Sequence, residues 1–131
     1  MNKQANGLFD VKLNPESLSE TAGGAGLGRM SLDKRFHGDL VATSQGEMLS
    51  FRSGVQGSAG YVALETVTGT LDGRKGSFVL QHSSTMSRGV PEQSIIVVPD
   101  SATGDLVGLA GRMVITITEG QHAYRFDYSL G

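Results

Sequence analysis

The sequence predicts an all-β protein: one closed antiparallel barrel of about eight strands, forming a single domain over residues 1–131. Three observations carry this. Apolar side chains recur at every second position, which is the strand period. Glycine makes up 19 of the 131 residues, about twice ordinary usage, and recurs between the apolar runs where turns belong. Helical periodicity is almost absent, the sole candidate being Asn14 to Glu20, with Pro15 in a first-turn position.

The alternation places strands near 6–14, 27–44, 47–53, 59–71, 75–84, 93–99, 106–118 and 122–130. Phe9, Val11 and Leu13 alternate with Asp10, Lys12 and Asn14, and Asn14-Pro15 ends that run. The second run is long and is expected to bend or bulge at a glycine such as Gly38. Gln45-Gly46, Asp72-Gly73 and Glu119-Gly120 read as hairpin turns, because glycine reaches positive φ without steric cost. Met113, Ile115 and Ile117, then Tyr124, Phe126, Tyr128 and Leu130, give the last two strands one apolar face each. Thr21 to Gly28 is glycine-rich and reads as a mobile loop, a possible lid over a barrel mouth. Closing such a meander into a barrel removes exposed sheet edges; a two-sheet sandwich is the alternative.

Composition narrows the function classes. With no cysteine, disulfides, thiolate metal sites and cysteine nucleophiles are excluded, and a reducing, cytoplasmic location is expected. No secretory signal is visible at the start, and no apolar run approaches the ~20 residues that cross a bilayer, so no membrane partner is expected. Net charge is −2, with 11 basic and 13 acidic side chains spread along the chain; without a basic patch, no nucleic-acid partner is expected.

The run Tyr61-Val62-Ala63-Leu64-Glu65, followed by Gly69-Thr70-Leu71-Asp72-Gly73-Arg74-Lys75-Gly76-Ser77-Phe78-Val79-Leu80-Gln81-His82, is the most distinctive. With Phe36-His37-Gly38-Asp39-Leu40, Val98-Pro99-Asp100-Ser101-Ala102-Thr103-Gly104-Asp105-Leu106, Gly108-Leu109-Ala110-Gly111 and the closing His122 to Leu130, it resembles the bacterial DUF3224 family. The resemblance covers nearly the whole chain in order. It implies a barrel similar to that of allene oxide cyclase, a plant enzyme that cyclises a fatty-acid epoxide, and related to that of dirigent proteins. It implies a fold and no reaction, and function taken from fold alone is analogy.

Candidate site residues are polar groups whose strand parity sets them on an apolar face. Lys34 interrupts the face of Met30, Leu32, Phe36, Gly38 and Leu40. On the fourth strand Thr66, Thr68 and Thr70 mark the wet face, which leaves Tyr61, Ala63, Glu65 and Val67 inside and Val62 and Leu64 outside. Phe78 and Leu80 share a face with His82, and Tyr124 and Phe126 share one with His122. Isolated buried charges are costly, so Lys34 and Glu65 are expected to pair, with His82 near them. A desolvated carboxylate beside an imidazole can act as acid or base, or orient a polar group. The plainer reading is a scaffold ion pair and a satisfied strand-end histidine.

The candidate ligand-binding set is therefore Lys34, Tyr61, Glu65, Phe78, His82 and His122. No metal site is expected: His37, His82 and His122 fall on different strands without ligand spacing. No cofactor is expected either, since Gly23-Gly24-Ala25-Gly26-Leu27-Gly28 fits neither the dinucleotide nor the phosphate-loop spacing. Gly-x-Ser-x-Gly is absent, against a serine hydrolase. His37-Gly38-Asp39 and the Arg74-Lys75 hairpin tip are expected to be solvated. The leading functional expectation is a barrel that binds a small, largely apolar molecule in its interior. The rivals are an isomerase or cyclase in which Glu65 stabilises developing charge, and an assembly module with a filled interior. In the last, Val62, Leu64 and Ile96 are interface residues of a homo-oligomer.

Overall fold

Period-two alternation carries the chain through eight strands, described by a computed structural model for residues 2–131. They are β1 (Asn2–Glu16), β2 (Gly28–Phe36), β3 (Leu40–Arg52), β4 (Ala59–Leu71), β5 (Arg74–Ser87), β6 (Val90–Val97), β7 (Leu109–Thr118) and β8 (Gln121–Leu130). Each lies antiparallel to the next, and β8 returns to β1, so the sheet closes into a barrel in sequence order. Asn2 faces Ser129 at that closure. Among the described residues the one helical element is a 3-10 turn, Gly104–Leu106.

Three two-residue hairpins share one geometry, with positive φ at both central positions: Asp72-Gly73 (48°, 85°), Arg88-Gly89 (48°, 88°) and Glu119-Gly120 (51°, 77°). This is the turn whose twist matches that of the flanking strands. Two of them follow the sequence signal. Arg88-Gly89 does not, and it lets β5 and β6 run to meet each other where a wide loop is expected between 84 and 93.

Three local expectations are corrected. Gln45-Gly46 is no turn: Gly46 sits inside β3, opposite Leu32 on one side and Glu65 on the other. A Cβ there would lie 2.0 Å from the Leu64 carbonyl oxygen and 2.7 Å from the Glu65 Cα, so glycine is required by close strand approach. The run 27–44 is not one strand: it divides into β2 and β3 at 37–39, around Gly38 (φ 99°), the glycine at which a bend is expected. Asn14 to Glu20 forms no helix; β1 continues through Asn14 and Pro15 to Glu16. β1 pairs with β8 over 2–9 and with β2 over 9–16, so Pro15 lies where the strand has a single neighbour, a position that tolerates a missing N–H.

Inward side chains fill the barrel from one end to its middle. Phe36, Leu40, Leu71, Phe78, Leu80, Ile95, Leu106, Met113 and Phe126 are fully buried. At that end the 98–108 connection covers the first half of β5: Thr103 N donates to the Ser77 carbonyl, and Val79 N donates to Ser101 Oγ. The Tyr124 hydroxyl accepts from Leu40 N at 2.9 Å and donates to the His37 carbonyl at 2.7 Å, fixing the β2–β3 turn to β8. The Tyr128 hydroxyl donates to Asp72.

The opposite end carries the 17–27 and 53–58 connections and the Arg88-Gly89 and Glu119-Gly120 turns. There the inward positions become progressively uncovered. Met30, Met48, Tyr61 and Ile115 are half-buried, while Leu13 and Ile117 are 45% and 64% exposed. The barrel is thus packed at one end and open at the other.

Candidate functional site

Where the packed interior gives way to the open end, four polar side chains converge on β2, β3, β4 and β5. The alternation that buries Leu32 and Phe36 also buries Lys34, between them on β2. On β4 the same alternation puts Ala63, Glu65 and Val67 inside and leaves Val62 and Leu64 about half exposed. On β5 it buries Phe78, Leu80 and His82.

Glu65, 1% exposed, is the hub. Its Oε2 accepts from Lys34 Nζ at 2.8 Å and lies 2.6 Å from His82 Nε2; its Oε1 accepts from Ser44 Oγ at 2.8 Å. Lys34 Nζ also lies 5.1 Å from the Phe9 ring centre and 5.9 Å from that of Phe36, where the ring faces add attraction for the ammonium. Burial by itself pushes the Glu65 carboxyl upward, but the His82 hydrogen bond and the Lys34 charge outweigh it and hold the group down at about 2. Glu65 is therefore a carboxylate across the neutral range. It orients neighbours and balances positive charge, and it has no proton to give.

A carboxylate only accepts, so His82 Nε2 carries the hydrogen of the 2.6 Å contact. The other ring nitrogen, Nδ1, is buried and finds no hydrogen-bonding partner among the described residues. Tyr61 stands one inward position nearer the open end, with its ring centre 6.2 Å from that of His82. Burial pushes the Tyr61 phenol up from its ordinary value, so it remains protonated at neutral pH.

The structure thus brings Lys34, Glu65 and His82 into direct contact and sets Tyr61 beside them. It separates the other two candidates. Phe78 lies two inward positions further along β5 and stacks on Phe126 with ring centres 5.7 Å apart, deep in the packed half. His122 is half-buried against Phe9, 5.1 Å between ring centres, and makes no hydrogen bond to the cluster among the described residues. His37 is exposed and pairs with Asp10 at 2.9 Å. Two members are absent from the sequence-derived set. Ser44 continues the even-numbered inward face of Leu40 and Ala42 and was legible by that parity. Gly46, which gives β4 room beside Glu65, carries the same signal as a turn glycine.

A cleft of about 700 Å³ lies on the outer wall, between the 17–27 connection and strands β3 to β5. Leu18, Leu27, Leu49, Val62 and Leu64 line it, and Arg29 closes one side by donating to Glu47 and to the Ser17 carbonyl. Leu49, Val62 and Leu64 point away from the interior, so the cleft opens on the outward face of the strands that carry the Glu65 cluster, and Met48, Ala63 and His82 also border it. Among the described residues, no three metal-ligating side chains converge, and no helix is long and apolar enough to cross a membrane.

Fold and site together define a small closed antiparallel barrel with a buried ionic floor beneath one open, largely apolar end. The chain belongs to the family described as Protein of unknown function (DUF3224), whose model matches residues 5–128. Its structure is similar to the crystal structure of a DUF3224 protein with unknown function from Shewanella oneidensis MR-1, at 52% identity and a TM-score of 0.93. That match covers 100% of this chain and 98% of the other. Among curated proteins no match is found.

Proposed function

We propose that this barrel binds a small, largely apolar molecule at its open end, with one polar group of the ligand directed at the Lys34–Glu65–His82 floor. The observation that carries the reading is the depth of the cluster. It lies at the level where inward side chains change from fully buried to part exposed, under Met30, Met48, Tyr61 and Ile115. An apolar wall with a few fixed polar groups at its base is the usual character of a small-molecule site. A buried ion pair adds little to stability over well-packed apolar residues, so stability alone gives weak reason for one here. Phe78 and its neighbours in the packed half are fully buried, so the reading assigns the ligand to the mouth.

Two measurements test this. Native mass spectrometry of protein purified from its natural source should show a co-purifying small molecule. Nile red fluorescence should rise on adding the protein, and Tyr61→Ala should change its affinity, whereas Val62→Asp on the outer wall should not. Dye binding lost in Val62→Asp and indifferent to Tyr61→Ala would move the ligand to the outer cleft and overturn the mouth reading.

A second reading, self-assembly, has its own support. Leu49, Phe51, Val62 and Leu64 project outward from neighbouring β3 and β4 and are each 41–54% exposed, a contiguous apolar strip of the kind that mediates association. The same mass spectrum gives the subunit count. A monomer at micromolar concentration would remove this reading and leave the first untouched.

A further inference from the structure

The ring nitrogen of His82 narrows what the mouth can accept. We propose that His82 Nδ1 is a hydrogen-bond acceptor for a hydroxyl group, so that the site selects neutral alcohols or phenols over bare hydrocarbons and over carboxylates. This rests on the mouth-binding reading above.

Three observations lead there. First, Nε2 is committed: at 2.6 Å from a carboxylate oxygen it must carry its hydrogen. Second, that same oxygen already receives the Lys34 ammonium at 2.8 Å, so the single negative charge of Glu65 is balanced without a charge on the imidazole. A further proton on Nδ1 would create a second buried cation whose N–H has no acceptor among the described residues. The arrangement therefore leaves Nδ1 as a lone pair, and the carboxylate holds the ring in that tautomer. Third, the charges of the floor are already matched: the Lys34 ammonium is paired with Glu65, to which Ser44 also donates.

The floor thus offers an incoming ligand an acceptor, and its one cation is already paired with Glu65. A hydroxyl group satisfies the acceptor. A hydrocarbon leaves it unsatisfied. A carboxylate brings a second anion to a floor whose one cation is already balanced by Glu65, and a buried excess charge is the least favourable outcome of the three. Tyr61, one inward position nearer the mouth, is the ring such a ligand passes or stacks against.

The test compares three probes of one shape: naphthalene, naphthol and naphthoate, each titrated calorimetrically into the full chain. Naphthol should bind about tenfold more tightly than naphthalene, the size of one well-made hydrogen bond, and naphthoate more weakly than either. In His82→Phe the naphthol-to-naphthalene ratio should fall to about one. Nitrogen NMR of the wild-type protein without ligand should find Nδ1 unprotonated at neutral pH, a readout independent of whether the variant folds. A ratio near one in the wild type, naphthoate binding most tightly, or a protonated Nδ1 would each overturn the hydroxyl preference while leaving the mouth as a binding site. If none of the three probes binds and Nile red does not either, the mouth reading fails and the preference falls with it.

Discussion

Removing one partner of the buried Lys34–Glu65 pair leaves the other as an uncompensated charge, a change that costs roughly 3–5 kcal/mol in comparable sites. Glu65→Gln keeps the size of the side chain and still accepts from Ser44, yet strands the ammonium. Its urea midpoint should fall by an amount in that range, and adding Lys34→Met should recover much of the loss. The effect depends on pH in a definite direction. The Glu65 carboxyl sits at about 2 in the folded protein, below its ordinary 4.5. Its contribution to stability is therefore complete above about 4.5 and is lost as pH falls toward 2, because the unfolded chain takes up the proton first. The gap in melting temperature between wild type and Glu65→Gln should accordingly narrow as pH falls across that window. Gly46 supports the same carboxylate sterically. In Gly46→Ala the new methyl meets backbone on β4, which cannot rotate away, and a loss of about 1–3 kcal/mol is expected. Gly24→Ala, with open space around the new methyl, is the control that should change little.

Strand pairing is uneven around the ring. β4 and β5 pair along thirteen residues, from Ala59↔Met86 to Leu71↔Arg74, whereas β6 and β7 share only the bridge Ile96↔Arg112. The Gln93 side chain takes over part of the missing ladder: its Oε1 accepts from Ile115 N at 2.8 Å and its Nε2 donates to the Ile115 carbonyl at 3.4 Å. Gln93→Ala should speed hydrogen exchange at β6 and β7 amides, Ile115 first, and leave β4 and β5 protected. This seam was invisible in the sequence, because a side chain standing in for a ladder leaves no periodic trace. Alternation, by contrast, was sufficient to bring Lys34, Glu65 and His82 to the inward face, since β2, β4 and β5 each carry it unbroken through those positions. Glycine was the ambiguous letter. Gly73 and Gly120 complete turns, Gly38 ends a strand, and Gly46 makes room inside one; only contacts between strands distinguish these uses. Arg88-Gly89 escaped notice because arginine seldom takes the positive φ, 48°, that it has there.

At the scale of the whole molecule, the barrel is graded along its axis. One end is sealed by Leu40, Leu71, Leu106 and Leu109 and pinned by the Tyr124 and Tyr128 hydroxyls; the other is held by strand pairing under sparse side-chain cover. Local opening should follow that gradient. Backbone exchange in the full chain is expected to be fastest at the 17–27 and 53–58 connections and slowest around Leu71, Phe78 and Phe126, with a ligand at the mouth protecting Tyr61 and Ser84 selectively. Burial pushes the Tyr128 phenol up, and its hydrogen bond to Asp72 pushes it further, to about 12. Alkaline titration followed by tyrosine absorbance should therefore show one group ionising well after an ordinary phenol.

The pairing of Asn2 with Ser129 has a consequence for the order of the chain itself. Because the first and last strands are neighbours, the ring of strands has no structural beginning. A short linker joining residue 130 to residue 2, with new ends cut at Arg88-Gly89, would retain every pairing around the ring. Such a permutant would place its free ends beside the open mouth instead of at the sealed end. The covalent order in which the strands are synthesised and the circular order in which they hold together are, in this barrel, separable properties.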